Sequence, residues 1–449
     1  MKSKFSVLTL FLLFLVFNQT SFASEPAEIL SRKAVSENTA ESAAAIEDLR
    51  ALGPQGLQSL LAVYAGEIKR HIDDPLLKPD ADWQRIAKAL DTVSGQKNSY
   101  LSGLYWYTDL NDAKKAAAAS GKPILSLRLL GKLTDELSCA NSRFFRTVLY
   151  ANPEVASVLR DRFVLHWQSE RPAPIITIDF GDGRKLERTI TGNSIHYVLD
   201  ATGQPIEALP GLYGPKAFLR KLSDAEDLFK SLAGKKDQQR EFELAGYYVV
   251  QNNKLSAGWV EDTAKIGGKL PAGLVVQRGP NGEITAISVA PLAITKAATE
   301  INFLRAMTAT SEALGRVTDE AAWKKIAQLH ASDAILDSRS IALIRRQNPG
   351  LSEKEFAAMI QKFQGLIAVD TVRNEYLLRP KLYAWLYRDP SRTDLEKFNA
   401  KVYAELFLTP ASDPWLGLLS ADVYTALDNS GVVDNTISSS ARARLKSSP

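Results

Sequence analysis

The chain has 449 residues, with 55 Lys and Arg against 51 Asp and Glu, and 45% of its residues are hydrophobic. This composition is ordinary for globular proteins, so it excludes a disordered or fibrous chain, and the length suits two or three domains of about 150 residues each. The formal net charge of +4 is too small to favour nucleic acid or an anionic membrane surface as a partner.

The N-terminus has the pattern of a secretory signal peptide. Lys2 and Lys4 precede an apolar stretch over residues 5–17, and a short polar step ends at Ala23. We predict that residues 1–23 are cleaved and that the mature protein is exported, either periplasmic or secreted. The apolar stretch is shorter than the roughly 20 residues that a spanning helix needs, so we expect no stable membrane anchor after cleavage.

Residues 24–100 are predicted to form an N-terminal helical segment. Apolar residues at helical spacing indicate two helices between about residues 38 and 68, separated at Gly53-Pro54, since glycine commonly follows a helix and proline commonly starts one. Residues 69–100 are more polar. We expect a short helix and a linker there, with His71 in a solvated loop.

Helices and strands alternate over residues 101–234. An Ala/Lys-rich helix ending at Ser120 precedes an apolar strand at 122–127, and another helix begins near Cys139. The remaining predicted elements are a helix at 153–162, a strand at 163–167, a hairpin around 181–183, a hairpin over 195–209 and a helix at about 215–230. This order predicts an α/β layer domain.

The chain over residues 235–437 is predicted to be mainly helical. A Gly/Pro-rich stretch within it suggests a small hairpin around Pro280-Asn281-Gly282. Two pairs at capping-box spacing predict helix starts, and they are Ser352 with Glu355 and Thr393 with Glu396. The small polar residues 438–449 predict a disordered tail. The whole is therefore an α+β or α/β multi-domain fold, with a central α/β domain flanked by helical regions.

Cys139 is the single cysteine, which excludes an intrachain disulfide in a protein expected in an oxidising compartment. Stability must therefore come from the burial of a hydrophobic core. A lone thiol in such a compartment is either buried and inert or exposed for a chemical purpose.

Residues 106–222 resemble the thioredoxin-like family, in particular its exported members. The matching residues are Trp106, the Ala-rich residues 113–119, Gly121-Lys122-Pro123-Ile124, Cys139-Ala140-Asn141-Ser142, Asn152-Pro153-Glu154-Val155 and Tyr197-Val198-Leu199-Asp200 with Gly203. The resemblance implies that residues 101–234 are a thioredoxin-like domain.

Two departures from the family pattern bear on function. Ser142 stands where the family has the second cysteine of Cys-x-x-Cys, and Gly192-Asn193-Ser194 stands where the family has a cis-proline ahead of the terminal hairpin. A dithiol cycle needs a second thiol to release the mixed disulfide. We therefore expect no dithiol cycle in this chain.

The resemblance also supplies candidate site residues. It places Cys139 at a helix N-terminus, where the helix dipole, together with Arg143 and Arg146, would favour a thiolate, while Asp135 and Glu136 oppose this. Ser142 would hydrogen-bond the thiolate, and Asn193 and Ser194 would contact a substrate backbone. The candidate catalytic residues are thus Cys139 and Ser142, and the candidate binding residues are Arg143, Asn193, Ser194 and Trp106.

Two functions follow as hypotheses. In the favoured one the protein binds a protein or peptide partner, and Cys139 is a small apolar residue without chemistry. In the alternative Cys139 is a monothiol that captures a partner as a mixed disulfide, exchanges with a small thiol or cycles through sulfenic acid.

The four histidines are His71, His166, His196 and His330, and none lies at a metal-ligand spacing from another, so we predict no metal site and no cofactor. His166 and His196 would approach Cys139 if their strands were neighbours, forming a Cys/His site for copper or for nucleophilic chemistry. The alternative is that both are ordinary strand residues. His330 lies among apolar positions of a predicted helix and is expected in the core.

Overall fold

The computed structural model describes residues 26–190, 192–272, 274–282, 284–289, 313–416, 419 and 426–432. The chain divides into two compact units, with the boundary after Ser94. The expected signal peptide at residues 1–23 and the expected disordered tail at residues 438–449 lie outside the described residues.

The first unit is helical. Its helices are α1 (Ala27–Lys33), α2 (Thr39–Ala51), α3 (Pro54–Val63), α4 (Ala65–Asp73) and α5 (Ala81–Ser94). The predicted break at Gly53-Pro54 is confirmed. Gly53 has a φ of +64°, in the left-handed region that glycine adopts easily, and Pro54 is the first residue of α3.

Two expectations for the first unit need correction. The short helix expected within residues 69–100 is present but spans 14 residues, 81–94, because Trp83, Ile86, Leu90 and Val93 recur at helical spacing and are all buried. His71 lies in α4, not in a solvated loop. Its ring is buried and stacks on that of Trp83, with ring centroids 3.8 Å apart.

A five-stranded mixed sheet organises the second unit. Its strands, in chain order, are β1 (Trp106–Tyr107), β2 (Ile124–Leu130), β3 (Val164–Arg171), β6 (Ser194–Leu199) and β7 (Pro205–Pro210), and their spatial order is β1-β3-β2-β6-β7. β1, β3 and β2 run parallel, whereas β6 and β7 are antiparallel to their neighbours. Every residue of the central strand β2 is buried, as expected for an apolar strand covered on both faces.

The hairpin predicted around residues 181–183 is confirmed, and it stands apart from this sheet. It consists of β4 (Ile175–Asp179) and β5 (Lys185–Thr189), which pair only with each other. All five residues of β4 are exposed. The hairpin is therefore an additional feature of the domain and does not extend its sheet.

The helices predicted around the sheet are also present. They are α6 (Leu110–Ser120), α7 (Ala140–Phe144), α8 (Pro153–Arg162) and α9 (Pro215–Ser231), and α7 continues into a π-helical turn at Phe145–Leu149. Asp109 caps α6 through hydrogen bonds from the N–H groups of Asn111 and Asp112. Gly121 ends α6 with a φ of +68°, so the predicted stop at this glycine is confirmed.

The described residues beyond 235 are mainly helical. Their elements are α10 (Asp237–Lys265), β8 (Leu274–Arg278), β9 (Ile284–Val289), α11 (Glu320–Leu329), α12 (Ser338–Gln347), α13 (Glu353–Arg373), α14 (Arg379–Arg388) and α15 (Leu395–Lys401). β8 and β9 pair as the hairpin predicted around Pro280-Asn281-Gly282. The fold class is thus α+β, mainly helical with a mixed five-stranded sheet.

The two predicted capping boxes have different outcomes. Ser352 and Glu355 form a complete box at the start of α13, as predicted. At the start of α15 the cap is Asp394, which accepts from the N–H groups of Glu396 and Lys397, so the expected Thr393 cap is wrong by one residue. Aspartate is at least as good an N-cap as threonine, and Asp394 Oδ1 accepts from the two N–H groups at 3.1 and 3.2 Å, whereas the Thr393 hydroxyl donates to the Pro390 carbonyl.

Buried charges join the sheet to the C-terminal helices within the second unit. Arg379 of α14 donates to Glu207 of β7 at 3.0 Å and to Glu375 at 2.9 Å. Tyr247 of α10 and Tyr383 of α14 donate to the same Glu207 oxygen, at 2.6 and 3.0 Å. The expected domain boundary at residues 234–235 falls inside this unit, whose sheet and helices share these contacts.

Candidate functional site

Cys139 is the N-cap residue of α7, so the helix predicted to begin near this cysteine is confirmed. Its Sγ accepts a hydrogen bond from the Ser142 N–H at 3.5 Å. The Ser142 hydroxyl forms no hydrogen bond with any residue that the structure describes, and Ser142 itself is fully buried. The serine therefore contacts the sulfur through its backbone, not through the hydroxyl expected to stabilise a thiolate.

The thiol is enclosed. Cys139 has 0% of its surface exposed and belongs to the hydrophobic core of the second unit. Burial raises the pKa of the Cys139 thiol, and the N–H groups of Ser142 and Asn141 and the positive charge of Arg143 only partly offset this. The environment was expected to favour the thiolate. It favours the neutral thiol instead, because desolvation of the sulfur outweighs the favourable position at the helix start.

The expected substrate contacts next to Cys139 are engaged by the protein itself. Asn193 donates from Nδ2 to Thr409 Oγ1 at 2.9 Å, and its carbonyl accepts from the Tyr403 hydroxyl at 3.3 Å. Ser194 is buried, and its Oγ accepts from Asn141 Nδ2 at 2.7 Å. Neither side chain is placed to meet a substrate backbone.

The chain segment over residues 403–413 closes this side of the site. Arg171 at the end of β3 donates to the carbonyls of Thr409 and Asp413, at 3.3 and 2.7 Å. Burial raises the pKa of Tyr403 well above its usual range, and Cys139 is among the titratable groups near enough to add to this shift. The segment thus holds the Asn193 loop, and that loop reaches the helix at Cys139 through the bond between Asn141 and Ser194.

Trp106 is part of the core and does not face a partner. It is fully buried in β1, its Nε1 donates to Gln96 Oε1 at 2.8 Å, and its ring packs 5.0 Å from that of Tyr150. Because Trp106 is fully buried, it cannot contact a partner at the surface, and the expectation that it is a binding residue is wrong. The tryptophan has instead a structural role, since a buried indole N–H needs a hydrogen-bond acceptor and finds one here.

The two strand histidines lie on opposite faces of the sheet and form no joint site. His166 is in register with Ser126 of β2 and His196 with Leu127, and consecutive strand residues point to opposite faces. His166 Nδ1 lies 2.8 Å from Ser126 Oγ, and His196 Nε2 lies 2.8 Å from the Tyr150 hydroxyl. Burial lowers the pKa of each imidazole to about 3, so both are neutral structural residues at ordinary pH.

His330 lies at the end of α11 and is about half-buried. Its Nε2 is 2.6 Å from Asp262 Oδ2, which also accepts from the Tyr376 hydroxyl at 2.7 Å. Hydrogen bonding to Asp262 raises the pKa of His330. The residue is satisfied, as expected, although by a carboxylate and not within an apolar core.

A different feature beside α7 is open to solvent. A groove of about 740 Å³ lies between the α7 region, which includes the following π-helical turn, and helices α12 and α13. Its apolar lining residues are Phe144, Leu212, Ile344, Met359, Phe363 and Leu366. The volume falls within the range of about 300–1,000 Å³ that ligand sites usually have.

The floor and walls of this groove come from distant parts of the second unit's sequence. Phe144 of α7 and Phe363 of α13 meet edge to face, with ring centroids 6.2 Å apart. Ala140 is exposed at one wall, and Leu366 leaves 54% of its surface exposed at the other. An apolar surface is therefore accessible directly beside the buried thiol.

Of the six candidate site residues, only Arg143 lines the groove. Its Nη1 donates to the Ser138 carbonyl at 3.2 Å and to Thr189 Oγ1 at 2.8 Å, which fixes the guanidinium beside α7. Arg146 also lines the groove, but its guanidinium binds the carbonyls of residues 133, 135 and 136. Its expected effect on the thiol is thus secondary to a structural role.

Sequence reasoning did not find the α13 wall of the groove. The signal was present, because Met359, Phe363 and Leu366 recur at helical spacing next to a second apolar stripe at Phe356 and Ile360. One stripe is sufficient to bury a helix. Phe356 and Ile360 are the buried stripe, and the additional stripe of Met359, Phe363 and Leu366, which is only partly buried, marks the groove.

Among the described residues there is no group of three or more His, Cys, Asp and Glu side chains suited to hold a metal ion. No helix in the described ranges is both long and apolar enough to cross a membrane. Comparison of the chain with protein families, curated proteins and solved structures gives no match.

Proposed function

We propose that this chain is an exported protein with a thioredoxin-like central domain, which acts by binding a protein or peptide partner without a dithiol redox cycle. The observation that carries this proposal is the open groove of about 740 Å³ beside α7, with its apolar lining. The surface that would carry thiol chemistry is closed by the chain itself, whereas this neighbouring surface is accessible. Binding is therefore the activity that the geometry favours.

The order of elements supports a thioredoxin-like domain. A strand at Trp106, a helix, the buried strand β2 and the helix at Cys139 come first, and β3, the antiparallel pair β6–β7 and the closing helix α9 follow. The Gly192–Ser194 segment lies beside the helix at Cys139, since a side chain at Gly192 would come within 2.9 Å of Asn141 Oδ1. This is the juxtaposition that the resemblance implies.

The absence of a dithiol cycle rests on the sequence. With one cysteine in the chain, a mixed disulfide at Cys139 could be released only by a thiol from another molecule. Ser142, in the position of the second thiol, has no redox chemistry.

Export rests on the N-terminal pattern of charged, apolar and small residues that ends at Ala23. N-terminal sequencing of the protein recovered from the exported fraction tests it directly. A first residue of Ser24 is expected, and recovery only from the cytosol with an intact N-terminus would contradict export.

Monothiol chemistry at Cys139 is the alternative function. It requires that the segment over residues 403–413 move away from the Asn193 loop, because the sulfur is otherwise inaccessible and its pKa is raised by burial. Under this alternative the partner would be held through a mixed disulfide and released by a reductant.

Site-specific photocrosslinking tests the binding proposal. A benzoylphenylalanine at Leu366, in the groove, should form an adduct with a partner in the exported fraction, and the same adduct should form when Cys139 is replaced by serine and reductant is present. The matched control is a benzoylphenylalanine at Phe242, which is 80% exposed and outside the groove. Adducts of equal yield from both positions, or loss of the adduct with Cys139→Ser, would contradict binding through the groove.

A further inference from the structure

The groove beside α7 carries a cation on each of its walls. Arg143 is anchored by Ser138 and Thr189 through one guanidinium nitrogen, and no described residue accepts a hydrogen bond from its other nitrogens. Lys362 of α13 is exposed and makes no hydrogen bond or ion pair with any part of the chain that the structure describes. Both cations are thus available to a ligand.

The described lining of the groove contains almost no negative charge. Glu136 is the acidic residue in the lining, and its carboxylate pairs with Lys97 at 3.1 Å. The positive charge of the groove is therefore not neutralised from within. An anionic group placed between the walls would gain from both cations, and the effect is larger next to apolar surface than in open water.

The groove also offers amide groups suited to a peptide backbone. Asn98, Gln347 and Asn348 line it, and Asn348 uses its Nδ2 on the Ile344 carbonyl at 2.9 Å, which leaves its Oδ1 as an acceptor. Both ends of the apolar lining are accessible, at Ala140 and at Leu366. A chain segment can therefore lie along the groove with its termini outside.

From this charge complementarity we infer that the occupant is an extended peptide segment in which large apolar side chains flank an acidic side chain. The inference rests on the proposed function, because it assigns the kind of peptide that the same groove binds. The apolar side chains lie against Met359 and Phe363, and the carboxylate lies between Arg143 and Lys362.

Three series of short fluorescent peptides test this inference. The first is acetylated and amidated and places Glu between Phe and Leu residues, the second replaces Glu by Gln, and the third keeps Gln but has a free C-terminal carboxylate. Affinity is measured by fluorescence anisotropy at low and high salt. The Glu series should bind about three- to tenfold more tightly than the Gln series, and salt should reduce the difference.

Matched variants separate the charge from the apolar contact. Lys362→Gln should reduce the preference for Glu to the part that Arg143 supplies, while leaving the affinity for the Gln series unchanged. Lys354→Gln, on the same helix but outside the groove, should leave the preference intact. Phe363→Ala should weaken binding of all series, and Leu366→Ser, at an exposed position, provides the same test if Phe363→Ala fails to fold.

Each remaining outcome has a distinct meaning. Equal affinity for the Glu and Gln series, with both weakened by Leu366→Ser, overturns the acidic preference and leaves the proposed binding function in place. Tighter binding of the free-carboxylate series alone overturns the assignment to an acidic side chain. No binding of any series overturns this inference, and photocrosslinking from Leu366 then decides whether the proposed function fails with it.

Discussion

Asn193 donates from its amide nitrogen to the hydroxyl of Thr409, 216 positions further along the chain, at 2.9 Å. This bond holds the loop beside Cys139 against the C-terminal part of the second unit. In a thiol enzyme this loop would contact the substrate, so the bond distinguishes the two functions considered for this chain. Thiol chemistry at Cys139 would require the loop to open, whereas binding in the groove beside α7 would not.

The first prediction concerns the reactivity of Cys139. In the native protein the thiol should react with a maleimide or with dithionitrobenzoate far more slowly than a free thiol, because the sulfur is buried and burial raises its pKa. Thr409→Val removes one hydrogen bond, worth about 0.5–1.5 kcal/mol, and should therefore raise the labelling rate about two- to tenfold.

Ser120→Ala, at the exposed end of α6, is the control for this measurement and should not change the rate. Rapid native labelling below neutral pH would show an accessible, acidic thiol and would favour the monothiol alternative.

The second prediction concerns the buried pair of Arg379 and Glu207. Glu207→Gln should destabilise the protein by about 1.5–3 kcal/mol, because Arg379, Tyr247 and Tyr383 lose a charged acceptor while Glu375 still pairs with the guanidinium. Urea unfolding followed by circular dichroism measures the loss.

Asp182→Asn, which breaks the exposed pair with Arg184, is the matched control and should change the unfolding midpoint very little. If both variants unfold at the same urea concentration, the buried network does not join the sheet to the C-terminal helices as we describe.

The secondary-structure elements could be predicted from the sequence more completely than the surroundings of the candidate site. The strand β2 was predictable because an apolar run between a glycine stop and a polar loop has few alternatives, and the start of α7 followed from local pattern. The length of α5 was underestimated because the stretch over residues 69–100 is rich in polar side chains, although the buried positions of the helix recur at helical spacing. Local chemistry determines such elements, so short stretches of sequence contain most of the information.

The burial of the site was not predictable in the same way. The loop beside Cys139 is held by Tyr403 and Thr409, 210 and 216 positions beyond Asn193, and Arg128 is accommodated inside β2 because Glu396 approaches it from α15 at 2.6 Å. No local pattern reports such partners. The resemblance favoured an exposed thiol because it covers the central domain alone and contains nothing about the helices that pack on it.

The third prediction concerns acid stability. The unfolded protein binds protons on His166 and His196 near pH 6.5, whereas the pKa of each in the folded protein is about 3. The unfolded state therefore binds more protons between these values, and the free energy of unfolding should fall as the pH decreases, by up to about 1.4 kcal/mol per pH unit for each histidine.

Urea unfolding of the native protein and of His166→Asn at pH 7 and pH 4.5 measures this effect. The native protein should lose about 2–3 kcal/mol more than the variant over this range, since the variant lacks one titrating group. An identical pH dependence for both would show that His166 titrates normally in the folded state.

The central claim is that a peptide lies in the groove between α7 and α13, beside a thiol that takes no part. The most direct measurement follows the ¹³C-labelled methyl group of Met359, assigned with Met359→Leu, while the amidated Glu peptide is added. We predict that the Met359 signal shifts with saturation, and equally in Cys139→Ser. Peptide binding that leaves the Met359 signal unmoved, or a shift that disappears with Cys139→Ser, would contradict the claim.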